Sequence, residues 1–367
     1  MAGLYIHVPF CHSKCAYCDF YSMPERGRDH GVVCRGLLDE YRMRANECGV
    51  PARWDTVYIG GGTPSILSPD ELAPLLNIVV ARASEVTIEV NPEDVKVENM
   101  SRWRELGVNR VSMGVQSFVD SELLAVGRRH DSRRAVKAFN VLRETGFENI
   151  SLDLIYGLPG QTSETWLYSL DRMLKLSPEH FSAYCLSYEP GTRLYAAMTS
   201  GRLTPTDEDV LAEMYDNLHT RAVVAGYDHY EISNFAKPGY HSRHNTSYWE
   251  SIPYLGLGPG AHSFDGHDRR YNPSNLKLWL ETVGSGYIAA RREDATDIER
   301  VNDVVFTRLR TARGLNPDEL PAEYRQRFLA AIDTLSPGSL VTTPEGRLAI
   351  PHDRWLVSDA IIRDLLI

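Results

Sequence analysis

Leu4-Tyr-Ile-His-Val-Pro-Phe-Cys-His-Ser-Lys-Cys-Ala-Tyr-Cys18 begins as a short β-branched and aromatic run and passes, two residues later, into three closely spaced thiols, Cys11, Cys15 and Cys18. Five further runs of strand character follow, at 56–60, 86–90, 110–115, 150–156 and 180–187, with helix-period stretches between them, such as Trp166, Leu170, Met173 and Leu174. Alternation of strand and helix predicts an α/β fold whose parallel sheet curls into a full or partial barrel. Ligands of such sheets sit at the carboxyl ends of the strands, which is where the loop carrying the thiols begins.

Outward from this core, a helix is expected at about 207–225, and the periodicity then breaks in a segment rich in Gly, His, Asn and Tyr, 234–275. Helical patterns return at 297–311 and 316–334, a hairpin is signalled around Glu345-Gly346, and a last helix lies near 354–366. The expected divisions are a barrel at 1–235, a His-, Gly- and aromatic-rich segment at 236–290 and a helical domain with a β wing at 291–367.

The 367 residues are 43% hydrophobic and 24% charged, an ordinary globular balance, and the formal net charge is −10. That charge opposes nucleic-acid binding, the one function the helix, helix and wing pattern would otherwise suggest. No apolar run is long enough to span a bilayer, and the first residues lack a secretory signal, so a cytoplasmic setting is expected and the cysteines are expected to stay reduced. Transient membrane contact and homodimerisation stay open.

Three thiols within eight residues call for a metal. Zinc is the competing reading, but it wants four ligands and no fourth Cys or His stands at finger-like spacing. An iron-sulfur cluster suits thiolates, and three of them on four irons leave one iron open. Cys34, Cys48 and Cys185 receive no role. Gly61, Gly62 and Thr63 follow the second run in a glycine loop that lets backbone approach a ligand closely, although a plain tight turn has the same composition. Glu89 ends the third run and could equally be a solvated surface carboxylate. Gln116 lies beyond the fourth run, and Arg128 follows as a carboxylate fork or a surface ion-pair partner. Asp153 interrupts an apolar strand, a costly position unless the carboxylate is paired or aimed at a ligand.

The C-x3-C-x2-C spacing with Tyr17 before the last cysteine resembles the radical S-adenosylmethionine (SAM) superfamily. The resemblance implies a partial (β/α)6 barrel with a small C-terminal domain. It also implies a 4Fe-4S cluster on Cys11, Cys15 and Cys18, reductive cleavage of SAM at the open iron, and a low-potential electron donor. SAM contacts are implied at Tyr5, Gly61, Gly62, Thr63, Glu89, Gln116, Arg128 and Asp153. LYIHVPFC, CAYCDFYS, YIGGGTPS, IEVNPE, VSMGVQSF, LDLIYGLPGQT and YEISNFA narrow this to the family of oxygen-independent coproporphyrinogen III oxidase (HemN) and the haem chaperone HemW, and with it to porphyrin biosynthesis or haem handling. The oxidase branch carries another cysteine two residues after the third and a longer N-terminal extension. Here that position is Phe20, and ten residues precede Cys11. His244-Asn-Thr-Ser-Tyr-Trp249 matches an HNxxYW segment associated with haem in the chaperone branch. Its implied function is haem binding and transfer to apoproteins, with oxidase activity as the runner-up, and whether the chain is an enzyme stays open. His244 is the expected haem-iron ligand, ahead of His241, His262 or a thiolate.

Overall fold

The computed structural model describes residues 2–45 and 53–367; Cys48 lies outside them. The expected strands form as β1 (Gly3–Val8), β2 (Thr56–Gly61), β3 (Glu85–Val90), β4 (Arg110–Gln116), β5 (Ile150–Tyr156) and β6 (His180–Cys185). They lie side by side in chain order, all parallel. Along each strand the side chains alternate. Val57, Ile59, Ile88, Val111, Met113, Leu152, Leu154 and Phe181 are fully buried in the main core, whereas Tyr58, Glu89, Ser112, Asp153 and Ser182 line one shared cavity. A single cavity reaching from β2 to β6 means that the sheet curves round it. The strands are therefore covered on both faces, by helices outside and by a polar lumen inside.

The helices that cover the outer face carry their own start signals. Asp131 accepts from Arg134 N at the start of Ser132–Glu144, and Thr162 and Thr165 exchange hydrogen bonds at the start of Ser163–Leu176. The helix expected near 207–225 spans Glu208–Val224 and begins on the Asp207 cap.

The segment expected to be irregular contains regular structure. After the hairpin β7 (Asp228–Glu231) and β8 (Asn234–Ala236), which joins the edge of β6, come a short helix, Arg243–Trp249, and then β9 (Tyr254–Leu257), β10 (His262–Phe264), β11 (Arg269–Tyr271) and β12 (Arg291–Arg292). β9 pairs parallel with β1 on the side away from β2. The result is a sheet of 12 strands in the order β12-β11-β10-β9-β1-β2-β3-β4-β5-β6-β8-β7, with no pairing between its two ends among the described residues. Strands this short, set among glycines and prolines, carry too little period-2 signal to be read from sequence.

The expected C-terminal elements are present as Asp297–Leu309, Ala322–Ile332, the pair Val341–Thr342 with Leu348–Ala349, and Ser358–Leu365. Val305, Leu309, Phe328, Trp355 and Ile362 belong to the same continuous apolar cluster as the barrel. No helix among the described residues is long and apolar enough to cross a membrane.

A buried ion pair fastens the added strands to the barrel. Glu40 and Arg44, one helical turn apart on His30–Arg44 and 2.7 Å from each other, are 0% and 1% exposed. Glu40 also accepts from Gly258 N at 2.7 Å, Asn272 Nδ2 at 2.7 Å and Trp279 Nε1 at 3.0 Å. Arg44 donates to Gly256 O at 3.1 Å and Ser263 Oγ at 3.1 Å. Removing one partner leaves the other charge buried, so Arg44→Met should lower stability by about 3–5 kcal/mol. Adding Glu40→Gln should return part of that loss in urea unfolding. An equal loss in the single and double variants would show that packing, and not the stranded charge, sets the cost.

Candidate functional site

At the carboxyl end of β1, Phe10–Cys11 pairs with Met23–Pro24 and closes the base of the loop that carries the thiols. The glycine loop after β2 is laid directly on this strand extension. Gly62 N donates to Val8 O at 2.7 Å and Thr63 N to Phe10 O at 2.6 Å. A Cβ on Gly62 would stand 2.4 Å from Phe10 O, so no other residue fits there, and Gly61 has φ +111.

Side chains continue the connection. Thr63 Oγ1 donates to Cys11 Sγ at 3.6 Å and accepts from Asn91 Nδ2 at 3.1 Å. Asn91 Oδ1 accepts from Arg128 at 2.6 Å, and Arg128 donates in turn to Gly114 O at 2.6 Å and Cys15 Sγ at 3.6 Å. Cys11, Thr63, Asn91, Arg128 and Cys15 thus form one polar arc around the mouth of the barrel. Gln116, the residue that ends β4, holds φ 69, a region uncommon outside glycine and frequent at functional sites.

Glu89 lies deeper. Its carboxylate accepts from Tyr58 OH at 2.9 Å and Gly61 N at 3.1 Å, and burial pushes its pKa up to about 7 despite those bonds. Asp153 is likewise raised by burial and accepts from Ser112 Oγ at 3.3 Å.

One cavity of about 460 Å³ is lined by Cys11, Cys15, Cys18, Gly61, Gly62, Thr63, Glu89, Gln116, Arg128 and Asp153. These expected residues, far apart in sequence, share one wall. The three thiols are free, and burial raises the pKa of Cys11 and of Cys18. Among the described residues no His, Cys, Asp or Glu trio is spaced for a single ion.

Tyr5 and His244 lie outside that lining. Tyr5 OH is 3.1 Å from His7 Nδ1, and its ring stacks 6.2 Å from Tyr58. His244 is fully buried on the short helix that closes the opposite end of the barrel, where Glu85, the first residue of β3, accepts from Arg243 N at 2.9 Å and His244 N at 3.0 Å. Both its ring nitrogens are engaged, Nδ1 with Thr56 Oγ1 at 2.8 Å and Nε2 with Tyr248 OH at 2.8 Å. Burial, helped by the charge of Arg110, lowers its pKa to about 3. Iron ligation by His244 would require one of these bonds to break. The neighbour that faces the cavity is Asn245. His241 pairs with Asp228 at 3.2 Å and stacks on Tyr230, and exposed His262 stacks on Tyr271; neither lines the cavity.

Tyr58, Asn91, Arg110, Ser112, Ser182 and Tyr184 also line the cavity and were missed by sequence reasoning. Polar residues at alternate positions of β-branched strands were the available signal. Cys34 is buried in the core, and Cys185 lines the cavity.

Residues 5–173 match the model of the radical SAM superfamily. The chain is similar to the haem chaperone HemW of Bacillus subtilis (strain 168), 34% identical with 98% of each chain covered. It is likewise similar to HemW of Mycobacterium tuberculosis (strain H37Rv), 35% identical over 99% of this chain and 94% of that one. In fold it resembles the solved coproporphyrinogen III oxidase (HemN) of Escherichia coli, with a TM-score of 0.82 at 23% identity, covering 100% of this chain and 90% of the other.

The carboxyl of Glu89 offers a direct test of the enclosed lumen. Its pKa is about 7 in the folded chain and near 4.3 once unfolded. Between these values the folded state binds the extra proton, so stability falls as pH rises through that window. Glu89→Gln removes this slope. From pH 4.5 to pH 8 the stability difference in urea unfolding of metal-free protein should move toward the variant by roughly 1–3 kcal/mol. A difference that stays flat would mean that Glu89 is solvated.

Proposed function

Because this chain belongs to the radical SAM superfamily and, within it, to the family of the haem chaperone HemW, we propose that it binds haem and passes it to apoproteins with the help of a 4Fe-4S cluster and SAM. The observation that carries the cofactor part is the single cavity joining the three thiols to Gly61, Gly62, Thr63, Glu89 and Arg128. A cradle that a Cβ would fill, free thiols on one wall and a buried carboxylate fit these groups chemically. The choice of branch rests on the full-length likeness to the chaperones and on Phe20, where the oxidases carry a further cysteine.

When bound, the cluster supplies one electron to SAM. Cys11, Cys15 and Cys18 would hold it. Thr63 and Arg128 already donate toward Cys11 and Cys15, and such hydrogen bonds offset thiolate charge and tune the potential. Gly61 and Gly62 give the methionyl end access to backbone, Glu89 accepts from ribose hydroxyls, and the covered lumen keeps water out. A low-potential electron donor, a haem-accepting apoprotein and a cytoplasmic setting complete the reading.

Anaerobic titration of haem into protein with and without its cluster, followed by mixing with an apo-haem protein, tests it. Haem uptake is expected in both forms and transfer only with the cluster. Cys11→Ala, Cys15→Ala or Cys18→Ala should each remove the brown chromophore and most bound iron. Turnover of coproporphyrinogen III with SAM and a strong reductant would replace the chaperone reading with the oxidase one.

A further inference from the structure

Arg110 opens β4 and is 1% exposed, yet it lines the lumen. Its Nε is buried without a partner, and among the described residues no hydrogen bond or ion pair engages the rest of its guanidinium. Fully buried Arg44 and half-buried Arg128 differ. Arg44 sits in the Glu40 network, and Arg128 donates to Asn91, Gly114 and Cys15. The charge of Arg110 acts on both lumen carboxylates from a distance, lowering the pKa of each against the effect of burial, but neither is in contact with it: Glu89 accepts from Tyr58 and Gly61 and Asp153 from Ser112. Thr87, paired in register with Arg110, also has a buried hydroxyl without a partner. A buried guanidinium offers five donors in a planar fork shaped for a carboxylate, and leaving them unused is costly.

We propose that Arg110 takes a carboxylate of a ligand entering the lumen and, on the haem reading above, that this is a haem propionate. Asn245, from the helix that closes the barrel, lines the same cavity. It gives the HNxxYW segment a polar contact there that the enclosed His244 does not. SAM carries the competing carboxylate, but that group belongs at the cysteines, beside Arg128. Arg128 bonds Gly114 O, four residues along β4 from Arg110, about 13 Å of strand. Phe20 and Tyr184, 67% and 42% exposed, also line the cavity and offer aromatic faces suited to a flat macrocycle.

Haem and haem dimethyl ester, which lacks the free carboxylates, are titrated into the wild type, Arg110→Met and Arg110→Lys, with SAM binding to the cluster-loaded proteins measured alongside. Wild type should prefer haem over the diester at least tenfold. Arg110→Met should bind both with the affinity wild type shows for the diester, Arg110→Lys should fall between, and SAM affinity should hold in all. Equal binding of haem and diester by wild type overturns the role of Arg110 while leaving the haem reading intact, and binding of neither overturns the haem reading itself. A preference that survives in Arg110→Met, or a loss confined to SAM, also overturns the proposal. Should Arg110→Met fail to fold, the wild-type preference and its reduction in Arg110→Lys carry the test.

Discussion

Two backbone hydrogen bonds, Gly62 N to Val8 O and Thr63 N to Phe10 O, hold the glycine loop against the root of the cysteine loop. Much of the mouth is built outward from that contact. It fixes Thr63 beside Cys11, Thr63 fixes Asn91, and Asn91 fixes the guanidinium that reaches Cys15. The contact demands an absent Cβ at Gly62 and a left-handed backbone at Gly61, so two glycines decide whether distant thiols share one wall. Neighbouring parallel strands end at the same level, which is what allows loops so far apart in sequence to meet.

The lumen shows what such an arrangement costs. Glu89, Arg110, Asp153 and Arg128 stand within one cavity, and the two carboxylates both feel burial strongly enough for their pKa values to rise. Opposite charges share the space without direct ion pairs between Arg110 and either carboxylate. A hydrophobic filling would be more stable, and a polar one keeps oriented donors and acceptors available to a guest.

Sequence made the parallel strands legible because each is a β-branched run bounded by turn residues, and it made the thiol site legible because spacing along a short loop survives folding. Asn91 and Arg110 were not legible. Their importance comes from what lies across the lumen, and neither position differs locally from a surface residue at the end of a strand. His244 shows the opposite case: the motif is plain in sequence, yet its ring is enclosed by Thr56 and Tyr248, and the adjacent Asn245 faces the cavity. The segment 234–275 read as irregular because β9, β10 and β11 are each three or four residues long. Their attachment rests on Glu40 and Arg44, a pair some 220 residues earlier whose partners no local pattern reveals.

The short helix Arg243–Trp249 seals the barrel at the starts of its strands, bolted there through Glu85. With the strand starts capped, the opening left along the barrel axis is the mouth, among the loops that follow the strands. On the haem reading, guests that lodge at different depths and use that opening would file in and out in mirror-image order, the innermost arriving first and departing last.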